Sequence, residues 1–150
     1  MNRWIVLAGF LALTIGGGLS IGALTPPGEW FAGLAKPPFN PPGWIFGPVW
    51  TVLYALIGVA GWRTFERRRH GWPMRLWWAQ LMLNFLWSPL FFGAHLIGPA
   101  LLVVLLLLAA ILAFIGASLG SDRVAAALFA PYAAWVAFAS LLNGAIWILN

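Results

Sequence analysis

Between Gly98 and Leu119 the chain carries no charged side chain, and no polar one before Ser118. Its centre is an unbroken run from Leu101 through Leu108. A stretch of this length and character suits the ~20 residues a helix needs to cross ~30 Å of hydrocarbon. Four further apolar stretches accompany it, at Trp4–Leu24, Trp44–Phe65, Met74–Gly93 and Val124–Leu149, separated by charged or Pro/Gly-rich breaks. The shortest break, Gly93 to Pro99, still predicts two helices rather than one bent one, because Gly98-Pro99 interrupts a combined length too great for a single span. Charged residues make up 7% of the 150 and hydrophobic ones 63%, against about a quarter and a half in soluble domains. Too little polar surface exists to cover a water-facing globule, which excludes a soluble enzyme, a secreted module and a disordered tail. The expectation is an all-α membrane protein: one domain, residues 1–150, folded as a five-transmembrane-helix bundle.

Charge placement predicts orientation. With five spans, Arg3, Arg63, Arg67, Arg68, Arg69, Arg75 and Arg123 fall on one side and Lys36 alone on the other. The positive-inside rule then puts the N-terminus and the Arg-rich loop in the cytoplasm and the C-terminus outside, in a multi-pass cell (inner) membrane protein. The run Arg67-Arg68-Arg69 reads as a topology anchor against anionic membrane lipid and not as a nucleic-acid patch. Arg3 followed by an apolar run also has the layout of a secretory signal, but the run is long for one and Pro26-Pro27 follow. A span is the preferred reading.

The first loop is the unusual segment. Pro37, Pro38, Pro41 and Pro42 forbid a helix and stiffen the backbone around Phe39 and Asn40. A flexible linker would use Gly and Ser. A stiff, aromatic, nearly uncharged loop needs something to pack against, and the outer mouth of the bundle is the natural partner; the loop is expected to cover it as a lid.

Tryptophans sort by depth. Trp4, Trp30, Trp44, Trp62, Trp72, Trp77, Trp78 and Trp147 lie near span ends, where indole rings form an interface belt. Trp50, Trp87 and Trp135 lie deeper; Trp50 is about 9 Å in by helical rise. Trp50 and Tyr54 share a helix face, as do Trp87 and Phe91, and Trp135, Ala139 and Asn143 form a third stripe. Ala139 between two large residues leaves a recess. Gln80, Asn84 and Ser88 make a polar stripe on the third span. Gln80 is expected to bond across helices, and Asn84 stands between that role and lining a cavity.

No enzyme signature is present. The only acids are Glu29, Glu66 and Asp122, all outside the spans, and the last two read as loop ion pairs with the adjacent Arg67 and Arg123. His70 and His95 fall on opposite sides, so they cannot share a metal, and each reads as solvated rather than as a haem ligand. There is no cysteine, nucleophile–base pair or phosphate loop. No ionisable residue lies at the midplane, which disfavours a channel or pump. What remains is a cavity lined by indole, phenyl and amide groups, suited to a flat, largely apolar ligand.

Three stretches carry a resemblance. The first is Trp30-Phe31 with Leu34-Ala35-Lys36-Pro37-Pro38-Phe39-Asn40-Pro41-Pro42-Gly43-Trp44 and Trp50-Thr51-Val52-Leu53-Tyr54; the second is Gln80 with Asn84-Phe85-Leu86-Trp87-Ser88-Pro89 and Phe91-Phe92-Gly93; the third is Pro131-Tyr132, Trp135, Phe138-Ala139 and Leu142-Asn143. In these the chain resembles the TspO/MBR family of tryptophan-rich sensory and translocator proteins. The resemblance implies a five-helix bundle, often a homodimer, that binds porphyrins, haem and related tetrapyrroles as ligands rather than cofactors, with sterols and benzodiazepine-type drugs in some members. It implies a sensor, regulator or transporter of tetrapyrroles, or alternatively a light- and oxygen-dependent porphyrin-degrading activity. The positions matching the family pocket are Trp30, Phe31, Pro41, Trp50, Tyr54, Asn84, Trp87, Phe91, Trp135, Ala139 and Asn143; Trp50 and Trp135 match the pair implicated in photochemistry. No other catalytic residue and no metal site is implied.

Two departures stand out. Phe31 occupies a position where many members carry Tyr, and the end from Asn143 to Asn150 lacks the Tyr and basic residue of the proposed cholesterol motif, so tight sterol binding is not expected. Gly18–Gly22 and Ala109–Ala113–Ala117 offer close-packing faces for a dimer or for the bundle itself.

Overall fold

A computed structural model describes residues 2–150, and helices are the only regular structure among them. The first rod comprises α1 (Arg3–Leu11), a π-helical stretch at Ala12–Gly16 and α2 (Gly17–Leu24). The short α3 (Gly28–Ala32) lies in the first loop; a 3₁₀ turn at Gly43–Ile45 then leads into α4 (Phe46–Arg68). After a tight turn come α5 (Trp72–Ser88), extended by a π-helical stretch at Pro89–Gly93, then α6 (Ile97–Ser118) and α7 (Arg123–Leu149).

The boundaries have local causes. Asn2 caps α1 by accepting the Trp4 N–H at 2.9 Å, and Asp122 caps α7 by accepting from Val124 and Ala125. Pro73 sits in the first turn of α5, where its missing N–H costs nothing. Pro89 cannot donate, and from there the helix widens into the π form. His95, at φ 58°, then reverses the chain before Ile97. The break expected between Gly93 and Pro99 therefore does separate two helices.

Four rods are long and apolar enough to cross a membrane: Arg3–Leu24, Gly43–Arg68, Ile97–Ser118 and Arg123–Leu149. The α5 rod, with Gln80, Asn84 and Ser88 along it, is more polar. Around the bundle, α1 packs on α4, α4 on α7, α7 on α6 and α6 on α5, and α2 closes the ring against α5. Ile57, Trp77, Ile111, Phe114, Phe129 and Tyr132 fill the interior without solvent exposure.

Two sequence expectations need correction. Trp62 and Trp77 do not belong to an interface belt: both are buried, Trp77 completely. Gly61 leaves the space that the Trp77 ring occupies, and the indole N–H donates to the Ile57 carbonyl at 2.9 Å. Helix-end position alone did not set their depth; the facing helix did. Trp4, Trp44, Trp72, Trp78 and Trp147 remain exposed, as a belt requires.

Nor does Asp122 pair with its neighbour Arg123. Its carboxylate accepts two bonds from Arg63, each 3.0 Å, and lies 3.5 Å from Arg67. Burial pushes this carboxyl up, but the Arg63 hydrogen bond, the Ala125 N–H and the charges of Arg63 and Arg67 more than offset it, holding it below the ordinary value. The α6–α7 turn is thereby fastened to the end of α4.

Candidate functional site

The ends of the rods nearest the first loop do not close on each other. They surround a cavity of about 470 Å³. The α2 side supplies Gly18, Leu19, Ile21 and Gly22, with Thr25 at its end; Gly18 lies against the Tyr54 ring, and at Gly22 no side chain fills the space. Phe31, Asn40 and Pro41 come from the first loop; Phe46, Trp50 and Tyr54 from α4. The α5 rod supplies Asn84, Trp87, Ser88 and Phe91, α6 supplies Val104 and Leu107, and α7 supplies Trp135, Ala139 and Asn143.

Ten of the eleven expected positions thus line one space: Phe31, Pro41, Trp50, Tyr54, Asn84, Trp87, Phe91, Trp135, Ala139 and Asn143. Trp30 does not. Its ring stacks on His95, centroids 4.1 Å apart and 7° from parallel, and meets Phe91 edge-on at 5.8 Å. It backs the wall instead of forming it, and it fastens α3 to the loop before α6. Gln80 likewise lies outside the lining, fully buried behind Asn84.

The cavity's polar groups are largely bonded to one another. The Tyr54 hydroxyl donates to Asn84 Oδ1 at 2.9 Å, Asn84 Nδ2 donates to the Tyr132 hydroxyl at 2.7 Å, and that hydroxyl donates to Gln80 Oε1 at 2.8 Å. The Trp87 indole donates to Asn143 Oδ1 at 2.9 Å, and Asn143 Nδ2 donates to the Ile97 carbonyl at 3.1 Å. Thr25 and Ser88 share a 2.7 Å hydroxyl–hydroxyl bond between α2's end and α5. Such internal pairing offsets most of the cost of placing polar side chains inside an apolar bundle.

The remaining surface is aromatic and aliphatic. Trp50 lies 5.3 Å from Tyr54 at 30°, Trp87 stacks on Phe91 at 5.1 Å, and Phe46 meets Trp135 edge-on at 5.8 Å. No Asp, Glu, Lys, Arg or His lines the cavity, and no cluster of three His, Cys, Asp or Glu able to hold a metal occurs among the described residues. Trp135 also borders a shallow groove on the outer α4–α7 face, opposite Pro48 and Val52.

The loop is fastened at several points. Ala35 is held through both N–H and C=O by the Asn150 side chain, at 3.1 and 2.9 Å. The Lys36 ammonium donates to the carbonyls of Ala32 and Leu34 and lies 4.6 Å from the Phe31 ring. The sequence reading missed Asn40, Phe46 and the α2 and α6 walls. Helical spacing marked the α4, α5 and α7 faces; glycines give no side-chain stripe, and Gly18–Gly22 read equally well as a packing face.

A multi-pass helical membrane protein, built around an aromatic cavity with no acidic, basic or histidine side chain in its wall, is the class this fold and site define. The chain belongs to the TspO/MBR family, whose pattern matches residues 10–148. It is 37% identical to the human translocator protein over 96% of this chain and 89% of that one. It is 38% identical to the tryptophan-rich sensory protein of Cereibacter sphaeroides, over 93% and 88%. It is 39% identical to the tryptophan-rich protein TspO of Archaeoglobus fulgidus, over 100% and 99%.

Proposed function

We propose that this protein binds planar tetrapyrroles, of porphyrin or haem type, in the aromatic cavity and acts as their sensor, regulator or transporter. The observation that carries the reading is the convergence of Trp50, Trp87 and Trp135, from three different helices, on one cavity. Its volume lies in the range of ligand sites, roughly 300–1,000 Å³. Indole and phenyl rings hold a flat guest by stacking, each pair adding about 0.5–1.5 kcal/mol beyond area burial. The relatives named as translocator and sensory proteins support a ligand-handling role.

In this reading the α5 rod is the fifth span, and the proline-rich loop is the lid over the outer mouth. The arginine-rich loop faces the cytoplasm of a cell (inner) membrane, and two copies form a homodimer. A benzodiazepine-type drug is a further candidate guest for the same space. The test is a protoporphyrin titration in lipid nanodiscs, read by tryptophan quenching. Saturable binding, weakened about three- to tenfold by Trp135→Ala, supports the reading. Binding no stronger than to empty nanodiscs refutes it.

A second reading is favoured by one observation: Trp50 and Trp135, both oxidisable indoles, border the cavity together. A bound porphyrin excited by light would have electron donors and dioxygen beside it, and would be degraded. Illumination of the bound complex tests this. Products absent from Trp50→Phe and Trp135→Phe variants support it; bleaching equal to that in lipid alone removes it.

A further inference from the structure

The arginines at the end of the bundle away from the cavity do not share one role. Arg63 and Arg67 are engaged by Asp122, and neither Glu29 nor Glu66 forms an ion pair among the described residues. Arg3, Arg68, Arg69, Arg75 and Arg123 therefore have no carboxylate partner there. Three of these lie over aromatic rings. The Arg3 guanidinium carbon stands 5.1 Å from the Trp4 ring centre and 5.2 Å from that of Trp62. Arg69 stands 4.0 Å from the Phe65 ring, and Arg75 5.3 Å from Trp72. Trp4 stacks on Trp62 at 5.9 Å, which sets the start of α1 beside the end of α4, and the tight turn after α4 brings in the start of α5. We propose that this corner of the bundle binds the headgroup of an anionic phospholipid through Arg3, Arg69 and Arg75.

Three features support it. First, the three cations are positioned without being neutralised. A ring attracts a guanidinium through its face and leaves the N–H groups free to donate. None of the three donates to another group among the described residues, whereas Arg63 gives two bonds to Asp122. The planar N–H fork matches phosphate oxygens two at a time. Second, the corner lies at headgroup depth. Trp4, Trp72 and Trp78 are exposed there, and exposed indoles at span ends mark the membrane–water interface. Third, the charge selects among lipids. A zwitterionic headgroup would set its own ammonium against three guanidiniums, while phosphatidylglycerol brings a phosphate and neutral hydroxyls. Arg68 and Arg123 have neither a carboxylate nor a ring among the described residues. Ordering their side chains on a lipid would cost rotamer entropy that the stacked arginines have already lost.

The experiment titrates the full chain in detergent with phosphatidylglycerol, or with phosphatidylcholine of the same acyl chains, and follows the first bound lipid by native mass spectrometry. Wild type is expected to bind phosphatidylglycerol about tenfold more tightly. In the double variant Arg3→Gln, Arg75→Gln the preference should fall below about threefold. The pair Arg68→Gln, Arg123→Gln removes the same charge and should keep it. Replacing the rings alone, by Trp4→Leu with Trp72→Leu, should weaken the preference about threefold at unchanged charge. Circular dichroism establishes that each variant folds. Equal affinities for the two lipids in wild type, equal losses in the two arginine pairs, or a preference untouched by loss of the rings each overturns the site. Displacement of the lipid by millimolar inorganic phosphate would make the corner a site for a free anion and overturn the lipid assignment.

Discussion

Trp87 on α5 and Asn143 on α7 are joined by a 2.9 Å hydrogen bond from the indole N–H to the side-chain carbonyl, at the wall of the cavity. Asn143 also donates to the Ile97 carbonyl at the start of α6. One amide thus ties three helices where the cavity would otherwise separate them. Asn143→Ala should cost about 1–3 kcal/mol, the price of leaving a part-buried indole N–H and a carbonyl unpaired. Adding Trp87→Phe should cost little more than the volume lost. Unfolding free energies in bicelles for the single and double variants measure this; additive losses would show that the two residues are not coupled.

A second network makes a sharper ranking. Asn84 serves two tyrosine hydroxyls, at 2.9 and 2.7 Å, while the Tyr54 hydroxyl is bonded to Asn84 alone among the described residues. Asn84→Ala should therefore destabilise the protein by about 2–3 kcal/mol and Tyr54→Phe by about 1. Equal losses in the same unfolding measurement would contradict the chain of bonds.

How much of this was legible in the sequence depends on whether the signal was periodic. Trp135, Ala139 and Asn143 repeat at one helical turn, and the structure sets all three at the cavity. Trp77 carried a misleading signal, since its position near a span end says nothing of the gap that Gly61 opens on α4. The Arg63–Asp122 pair joins residues 59 apart, a distance at which local charge order predicts only the neighbours. Asn40 was named within the loop, but its place in the cavity wall follows from how the loop packs on the bundle. No single sequence states that.

Asp122 gives a pH dependence with a definite sign. Its carboxyl is held below the ordinary value of 3.8 in the folded protein, so the unfolded chain binds the proton more readily. The stabilisation is present above that value and is lost as pH falls through the folded-state value. Thermal melting from pH 6 to pH 3 should show a decline in wild type that is smaller in Asp122→Asn. Parallel declines in the two proteins would assign the effect elsewhere.

Space under Trp77 is equally testable. A methyl group at position 61 would collide with the buried indole. Gly61→Ala should cost about 1–3 kcal/mol through overpacking, and Trp77→Phe should relieve part of that loss. A Gly61→Ala melting temperature equal to wild type would refute the packing described for this helix pair.

The most direct test of the central claim fills the cavity. Ala139 lies between Trp135 and Asn143 on the α7 face that borders the empty space. Protoporphyrin titration of Ala139→Phe in nanodiscs, beside wild type, should show at least a tenfold loss of affinity with helical content unchanged. Undiminished binding in a folded Ala139→Phe protein would place the ligand somewhere else.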